Sequence, residues 1–388
     1  MPGRRDILYC LGVFVVCRIA FSLVGLLGIT ATTQPPSAPV VPSAVDGPVV
    51  GTGGEVPATP GVHNLFDASV RWDAAWFTGI AERGYDDSAS GAFFPGYVVA
   101  TRAVDLATPL GAVGSALVVS NVSFLLASIV LFRLTVDEYD ESVARRAIAL
   151  LTFFPTSFFF LAPYSESTYL LFCVLCFAAA RSGRWWLGGV VGAVAATVRS
   201  VGITLAPALL IERYEQRRQV GSRSSWIAAA APVLGLFAVI GWFALLDDVV
   251  SPLRSQEVWH REPEIPFVSL GRGIGIGARA LGDASWAFEA GDVLITLPPL
   301  VLLLAYWRRL PSVSYTVFVA LGFLVPLTFT VAARPLLSLP RFVITLFPLA
   351  WLAALLADTP RRLSFVLAVS FAGWVILSLA FVNWRFVA

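Results

Sequence analysis

Lysine is absent from this chain, so apart from two histidines every basic side chain is arginine. Charge of either sign is scarce, at 13% of 388 residues, where a soluble domain carries roughly 25%. That shortage excludes an ordinary soluble fold. A formal net charge of +2 also excludes the basic surface on which nucleic-acid binding depends. The four cysteines, Cys10, Cys17, Cys173 and Cys176, all fall in apolar segments, where a thiol behaves as a small hydrophobe. No disulfide framework is expected. Cys173 and Cys176 form a C-x-x-C, but without a second Cys or His pair it reads as two residues on one membrane helix. The histidines, His63 and His260, are not paired with cysteine, so no dedicated zinc site is expected; no cofactor is expected either, and a need for a divalent metal is left open.

What the chain has is apolar length. It is 57% hydrophobic with a mean hydropathy of +0.78, which implies an all-α polytopic membrane protein. Residues 7–29 are long enough to span, since a bilayer core needs about 20 apolar residues, and too long for a typical signal-peptide core. Arg4 and Arg5 place the start of this uncleaved first helix in the cytoplasm. Arg18 near its middle is costly in lipid and should face the bundle interior and a partner. Residues 30–62 are rich in Pro, Gly, Thr, Ser and Val, which cannot propagate helix or a central strand. They read as an extracytoplasmic linker.

The segment 93–110 is interrupted by Arg102 and Asp105, which face water, and it reads as an interfacial helix lying on the membrane. Spans follow at 112–132, 147–163 and 168–180. Residues 185–211 go out and back with Arg199 near the outer turn, and spans at 226–246, 293–306, 313–331, 342–357 and 363–381 complete the chain. This arrangement puts Arg133, Arg145, Arg146, Arg181, Arg184, the basic loop 212–223, Arg308, Arg309, Arg361 and Arg362 inside. The loops 247–292 and 332–341 fall outside. Within the first of these, GRGIGIG at 271–277 lacks the spacing and the preceding strand of a dinucleotide fingerprint and reads as a flexible loop.

On the outer side this topology collects a short polar run, FDASVRWDAAWFTGIAERGYDDSASGAFFPGY at 66–97, with Glu166, Arg199, Gln256, Trp259, His260, Arg334 and Arg341. Arginines can hold a phosphate through bidentate charge-assisted bonds, while a carboxylate, Asp73 first among them, accepts a proton. Trp72, Trp76, Phe77 and Trp259 suit the headgroup level or a sugar face. Plainer readings stand beside these. Asp73 also fits the solvated end of an interfacial helix, Glu166 the polar end of a span, and Arg334 and Arg341 fit snorkelling to headgroups. Arg199 is harder to explain that way, because a mid-segment arginine requires a re-entrant turn or a polar interior.

Several motifs carry a family resemblance: Arg71-Trp72-Asp73-Ala74, Ile80-Ala81-Glu82-Arg83-Gly84-Tyr85, Ala92-Phe93-Phe94-Pro95, Phe154-Pro155-Thr156-Ser157 and Ala162-Pro163-Tyr164-Ser165-Glu166-Ser167. Weaker echoes follow at 197–202, at Ser251-Pro252-Leu253 with Gln256 and Trp259, and at Leu339-Pro340-Arg341-Phe342 with Phe347-Pro348. The chain resembles the GT-C class of membrane glycosyltransferases that take sugar from a polyprenyl phosphate. Within that class it is similar to the PIG-V family, the second mannosyltransferase of glycosylphosphatidylinositol assembly, and its prokaryotic relatives. The resemblance implies a bundle of about eleven transmembrane helices with interfacial helices in the first outer loop.

It further implies an inverting transfer, with Asp73 as general base. Glu82 and Glu166 would be supporting acids, Arg199 and Arg341 phosphate ligands, and Trp72, Trp76, Tyr85, Gln256, Trp259 and Arg334 further substrate-binding residues. The partners would be a polyprenyl-phosphate-linked sugar donor and a glycan or glycolipid acceptor, at the plasma membrane of a prokaryote. The Pro-rich insert, His260, and Gly96 where a bulkier residue is usual depart from the family pattern and bear on the acceptor. The expected organisation is a first helix (1–29), a linker (30–62), a catalytic loop (63–111) and a helix bundle (112–388). A flippase for lipid-linked sugars would also use intramembrane arginines, but no internal repeat of the kind transporters show is visible. A non-catalytic scaffold is the third reading.

Overall fold

The computed structural model describes residues 3–31, 68–86, 89–217, 224–280 and 286–383, with Arg385 and Val387. Apart from Thr30 and Ala31 in the first helix, the linker at 30–62 lies outside the described residues. Seventeen α-helices, five short 3-10 helices and one two-stranded ladder make up the described structure. Helix α1 (Arg4–Ala31) leads to α2 (Asp73–Arg83), α3 (Pro95–Ala107), α4 (Gly111–Glu138), α5 (Glu141–Thr152), α6 (Glu166–Arg181), α7 (Trp185–Val198) and α8 (Leu205–Glu215). There follow α9 (Ser224–Ala230), α10 (Val233–Leu245), α11 (Ser251–Val258), β1 (Arg261–Pro263), α12 (Pro266–Ala280) and α13 (Trp286–Tyr306). The chain ends with α14 (Val313–Leu324), β2 (Phe329–Val331), α15 (Leu339–Val343), α16 (Pro348–Leu356) and α17 (Pro360–Val382).

Helix boundaries follow local chemistry. The Asp140 side chain accepts from the Val143 amide at 2.8 Å and caps α5, satisfying a donor that the first turn leaves free. Proline opens α3, α11, α16 and α17, where its missing N–H costs nothing. The expected span at 226–246 is broken beside Pro232 into α9 and α10, which bend by 51°, as proline in a helical run requires.

Among the described residues, four helices are long and apolar enough to cross a membrane, and a fifth if the bent pair is one span. They include α1, α4 and α17, whose outward faces carry large exposed hydrophobes such as Leu23, Leu27, Phe365 and Ile376. The protein is an all-α, multi-pass membrane protein. The remaining expected crossings consist of shorter broken helices, so the eleven spans do not appear as eleven continuous helices among the described residues.

Helix α6 packs along both α4 and α7, and α1 lies against α4 and α17. A buried aromatic group of Phe177, Tyr315, Phe318, Phe347 and Trp351 ties α6 to α14 and α16. All four cysteines are free and buried. Arg18 faces the interior as expected, donating to the Leu161 carbonyl at 3.0 Å. Its partner is thus a main-chain dipole.

Two regions differ from the sequence expectation. Residues 271–277 form part of α12 rather than a flexible loop. The glycines there make a packing face: a Cβ at Gly273 would stand 2.4 Å from Leu336, and one at Gly277 would stand 2.4 Å from Val293. The stretch 247–292, expected as an outer loop, is likewise structured, holding α11, β1, α12 and the start of α13. Strand β1 pairs antiparallel with β2, Arg261 opposite Val331. Residues 329–331, expected to end a span, supply that second strand.

Candidate active site

Asp73 stands in the first turn of α2, where a carboxylate complements the helix dipole. The residue before it, Trp72, is forced to φ 55, ψ −119, a region that side-chain-bearing residues rarely occupy. Positive φ at a residue bearing a side chain recurs in the site. His260 at φ 51 immediately precedes Arg261, and Ser338 at φ 66 is the N-cap of the helix bearing Arg341. Backbone of this kind costs about 1–3 kcal/mol per residue and persists where the surroundings enforce it.

Four separated segments meet at one buried cluster. Arg341 donates through NH1 to Asp73 Oδ2 at 2.6 Å and through Nε to Glu166 Oε1 at 2.8 Å. Arg199 NH1 reaches the same Glu166 oxygen at 2.8 Å and Ser165 Oγ at 3.1 Å. Glu166, the first residue of α6, is fully enclosed, whereas the Asp73 side chain keeps 23% of its surface. Of the two carboxylates, only Asp73 is open to an incoming molecule.

Aromatic rings hold the cations. The Arg341 guanidinium lies 4.7 Å from the Tyr164 ring centroid and 5.1 Å from that of Phe159, and Arg199 lies 4.3 Å from Phe342, contacts favourable to a desolvated cation. The Tyr164 hydroxyl donates to the Arg71 carbonyl at 2.8 Å, locking the segment before Glu166 to the segment before Asp73. Thr156 donates to the Pro340 carbonyl at 3.1 Å, joining the same segment to α15. Glu166 Oε2 and Arg199 Nε are buried without a hydrogen-bond partner among the described residues. Such atoms are rare in a folded interior and give the cluster polar capacity for a ligand.

The other expected residues take varied places. Trp72 is half-buried. Trp76 stacks on Phe93 at 5.6 Å and meets Trp259 edge-on at 5.8 Å, and Trp259 donates to the Ala89 carbonyl at 3.1 Å. These rings form one wall beside Asp73. Tyr85 donates to the Phe93 carbonyl at 2.8 Å and packs on Phe243, bracing the wall, whereas Gln256 bonds the Pro252 carbonyl of its own helix at 3.2 Å. Glu82 is exposed and, among the described residues, pairs only with Arg83, at 4.0 Å; it does not join the cluster. Arg334 is also elsewhere, holding Asp292 at 2.6 and 2.9 Å in a separate buried pair. Arg102 pairs with Asp105 at 3.0 Å.

Sequence reasoning passed over Tyr164 and Arg261. Tyr164 lies two residues before Glu166 in Ala162-Pro163-Tyr164-Ser165-Glu166-Ser167, and Arg261 follows Trp259-His260 directly, so an arginine beside an aromatic pair is the signal present. Burial lowers the Arg261 pKa, which the charge of Asp73 opposes and those of Arg341 and Arg199 reinforce; an arginine still stays protonated. Its side chain therefore lies within electrostatic reach of all three.

At the far end of α6, Arg181 grips Glu138 at 2.5 and 2.8 Å and Glu212 at 2.9 Å. That helix is 16 residues long, about 24 Å at 1.5 Å per residue. The two polar clusters thus occupy opposite ends of the bundle.

Residues 11–216 match the family Mannosyltransferase (PIG-V), more than half of the 388 residues. The chain belongs to the PIG-V family. The matched region holds Asp73, Glu166 and Arg199, while Arg261, Arg334 and Arg341 lie beyond it. Among curated relatives, this PIG-V member is similar to GPI alpha-1,6-mannosyltransferase 2 of Mus musculus. The two are 32% identical over 197 residues, covering 46% of this chain and 38% of the mouse protein.

GPI mannosyltransferase 2 of Cryptococcus neoformans is 29% identical over 146 residues, covering 35% of this chain and 34% of that protein. The matched parts therefore span little more than a third of these relatives' own lengths. Among solved structures, ArnT from Cupriavidus metallidurans bound to undecaprenyl phosphate aligns with a TM-score of 0.49 at 17% identity, covering 77% of this chain and 57% of that one. The apo oligosaccharyltransferase of Archaeoglobus fulgidus aligns with a TM-score of 0.48 at 11% identity, covering 98% and 56%.

Proposed function

We propose that the chain is an inverting glycosyltransferase that moves mannose from a polyprenyl phosphate to a glycolipid or glycoprotein glycan at the extracytoplasmic face. The observation that carries this reading is the partly open Asp73, 2.6 Å from Arg341 in a buried ion cluster with Glu166 and Arg199. Membership of a mannosyltransferase family supports the reaction class. Placement of the cluster opposite the Arg181 end of α6 and its neighbouring arginine-rich loops supports the sidedness, because arginines collect on the cytoplasmic side.

In this reading the acceptor hydroxyl attacks the anomeric carbon and gives its proton to Asp73. The bond from that carbon to the phosphate oxygen breaks on the opposite face, its electron pair stays with the phosphate, and the configuration inverts. A lipid phosphate leaves as an ionised group and needs no proton. Stabilising its growing charge is therefore the larger electrostatic task. The Trp76, Phe93 and Trp259 wall offers flat apolar surface to a sugar or to the first isoprene units.

The test is transfer from a synthetic polyprenyl-phosphate-mannose to total membrane lipids, with the product identified by mass. Asp73→Asn should lower the rate by about 10²–10⁴-fold, the usual worth of a general base. Its thermal stability should hardly change, because Arg341 keeps Glu166. Transfer by this variant at the wild-type rate would remove Asp73 from the chemistry.

A further inference from the structure

The ion cluster accounts for its charges with one exception. Arg199 and Arg341 share Glu166, and Arg341 also holds Asp73. Arg334 is matched by Asp292 in its own pair. Arg261 is the residue without a match. Among the described residues no carboxylate lies within ion-pair distance of it and no hydrogen bond engages its guanidinium.

Its placement is nonetheless fixed. Its main chain lies in the ladder opposite Val331, and the left-handed turn at His260 re-aims the chain just before it. Two residues earlier, Trp259 is wedged against Phe93 and against Trp76, which sits one helical turn after Asp73 on α2. The strand and the catalytic helix are thus braced on the same rings. That brings the half-buried Arg261 within electrostatic reach of Asp73, Arg199 and Arg341. Three guanidinium groups face two carboxylates there, leaving one positive charge in excess. A partly buried charge without a counter-charge is costly unless an anion supplies it, and the guanidinium fork fits two phosphate oxygens at once.

We propose that Arg261 binds the phosphate of the polyprenyl donor as it becomes the leaving group, while Arg199 and Arg341 chiefly hold Glu166 and Asp73 in position. This assignment rests on the glycosyltransferase reading above. It differs from the expectation that gave the phosphate to Arg199 and Arg341, whose guanidinium groups already hold carboxylates. When the bond from carbon to phosphate oxygen breaks, the departing phosphate gains one negative charge. Arg261 therefore attracts the product end of the reaction more strongly than the starting diester, and such a difference raises the rate rather than only the affinity.

The experiment uses the full chain in lipid nanodiscs and two readouts. Tryptophan fluorescence follows titration with polyprenyl phosphate, with the uncharged polyprenol and with inorganic phosphate, and transfer from polyprenyl-phosphate-mannose gives kcat and KM. Arg261→Gln should weaken polyprenyl phosphate by about tenfold to a hundredfold, the worth of a charge-assisted bond, leave polyprenol unchanged and lower kcat. Arg261→Lys, which keeps the charge and loses the fork, should fall between. Arg254→Gln, which removes an exposed arginine from neighbouring α11, should behave as wild type. Thermal unfolding temperatures of the variants show whether any loss is one of fold, and the lysine variant carries the test if the glutamine variant does not fold.

If Arg261→Gln binds polyprenyl phosphate as tightly as wild type while wild type transfers sugar, the assignment is overturned and the glycosyltransferase reading stands. A variant that loses only inorganic phosphate would mark a free-anion site and would equally overturn it. If wild type neither transfers sugar nor distinguishes polyprenyl phosphate from polyprenol, the glycosyltransferase reading fails and the assignment fails with it.

Discussion

Asp73 and Glu166 are two carboxylates in one cluster with opposite exposures, and that contrast separates their roles. Glu166 is enclosed and neutralises two arginines through one oxygen. Replacing it with Gln would leave the buried Arg199 without its carboxylate and Arg341 with Asp73 alone, at a cost of about 3–5 kcal/mol. Glu166→Gln should therefore lower the thermal unfolding temperature in detergent and reduce the yield of folded protein. Activity should be lost in proportion to the fold. Asp73→Asn should show the reverse: a folded, stable protein with little turnover. Equal stability of the two variants would contradict this division. The snorkelling reading of Arg341 does not hold, since Arg341 lies inside the protein against the Tyr164 and Phe159 rings.

At the scale of elements, the site depends on close approaches that only small residues permit. Gly96 opens α3 against the end of α7. A Cβ there would stand 2.6 Å from Thr197 Oγ1 and 2.9 Å from the Thr197 carbonyl oxygen. Thr197 lies two residues before Arg199, so the departure from the usual bulkier residue has a mechanical reason in this chain. Gly96→Ala should cost about 1–3 kcal/mol by overpacking and should lower transfer by displacing Arg199, read as a drop in unfolding temperature together with kcat.

Much of this layout was legible in the sequence because apolar length and arginine placement are local signals. The out-and-back path of α7 and α8 with Arg199 at its break is an example. Pairing was not legible. The ladder of β1 with β2 joins segments about seventy residues apart, by main-chain bonds that leave no mark on three-residue strands. The glycine run of α12 misled for a related reason. Glycine lowers helix propensity, but packing against Leu336 and Val293 outweighs it. Arg261 was passed over because only that ladder reveals where it lies.

At the scale of the molecule, the two polar clusters at the ends of α6 define a direction across the membrane. A cysteine at Glu82, exposed on α2 near Asp73, should react with a membrane-impermeant maleimide in intact cells. A cysteine at Glu141, exposed beside the Arg181 cluster, should react only after the membrane is broken. The native thiols give little background, since all four are buried. The opposite labelling pattern would put Asp73 in the cytoplasm and end the lipid-phosphate mechanism.

The Asp73 to Arg341 bond also sets a timetable for biogenesis. Its partners are 268 residues apart in the chain, which at about 5–20 residues per second of synthesis corresponds to roughly 15 to 50 seconds. During that interval Glu166 can meet only Arg199, and Asp73 has no cation from α15. The nascent protein must therefore insert most of its helices before its site exists, and a chain stopped short of residue 341 would be membrane-bound yet incomplete, a substrate for quality control rather than a slow enzyme.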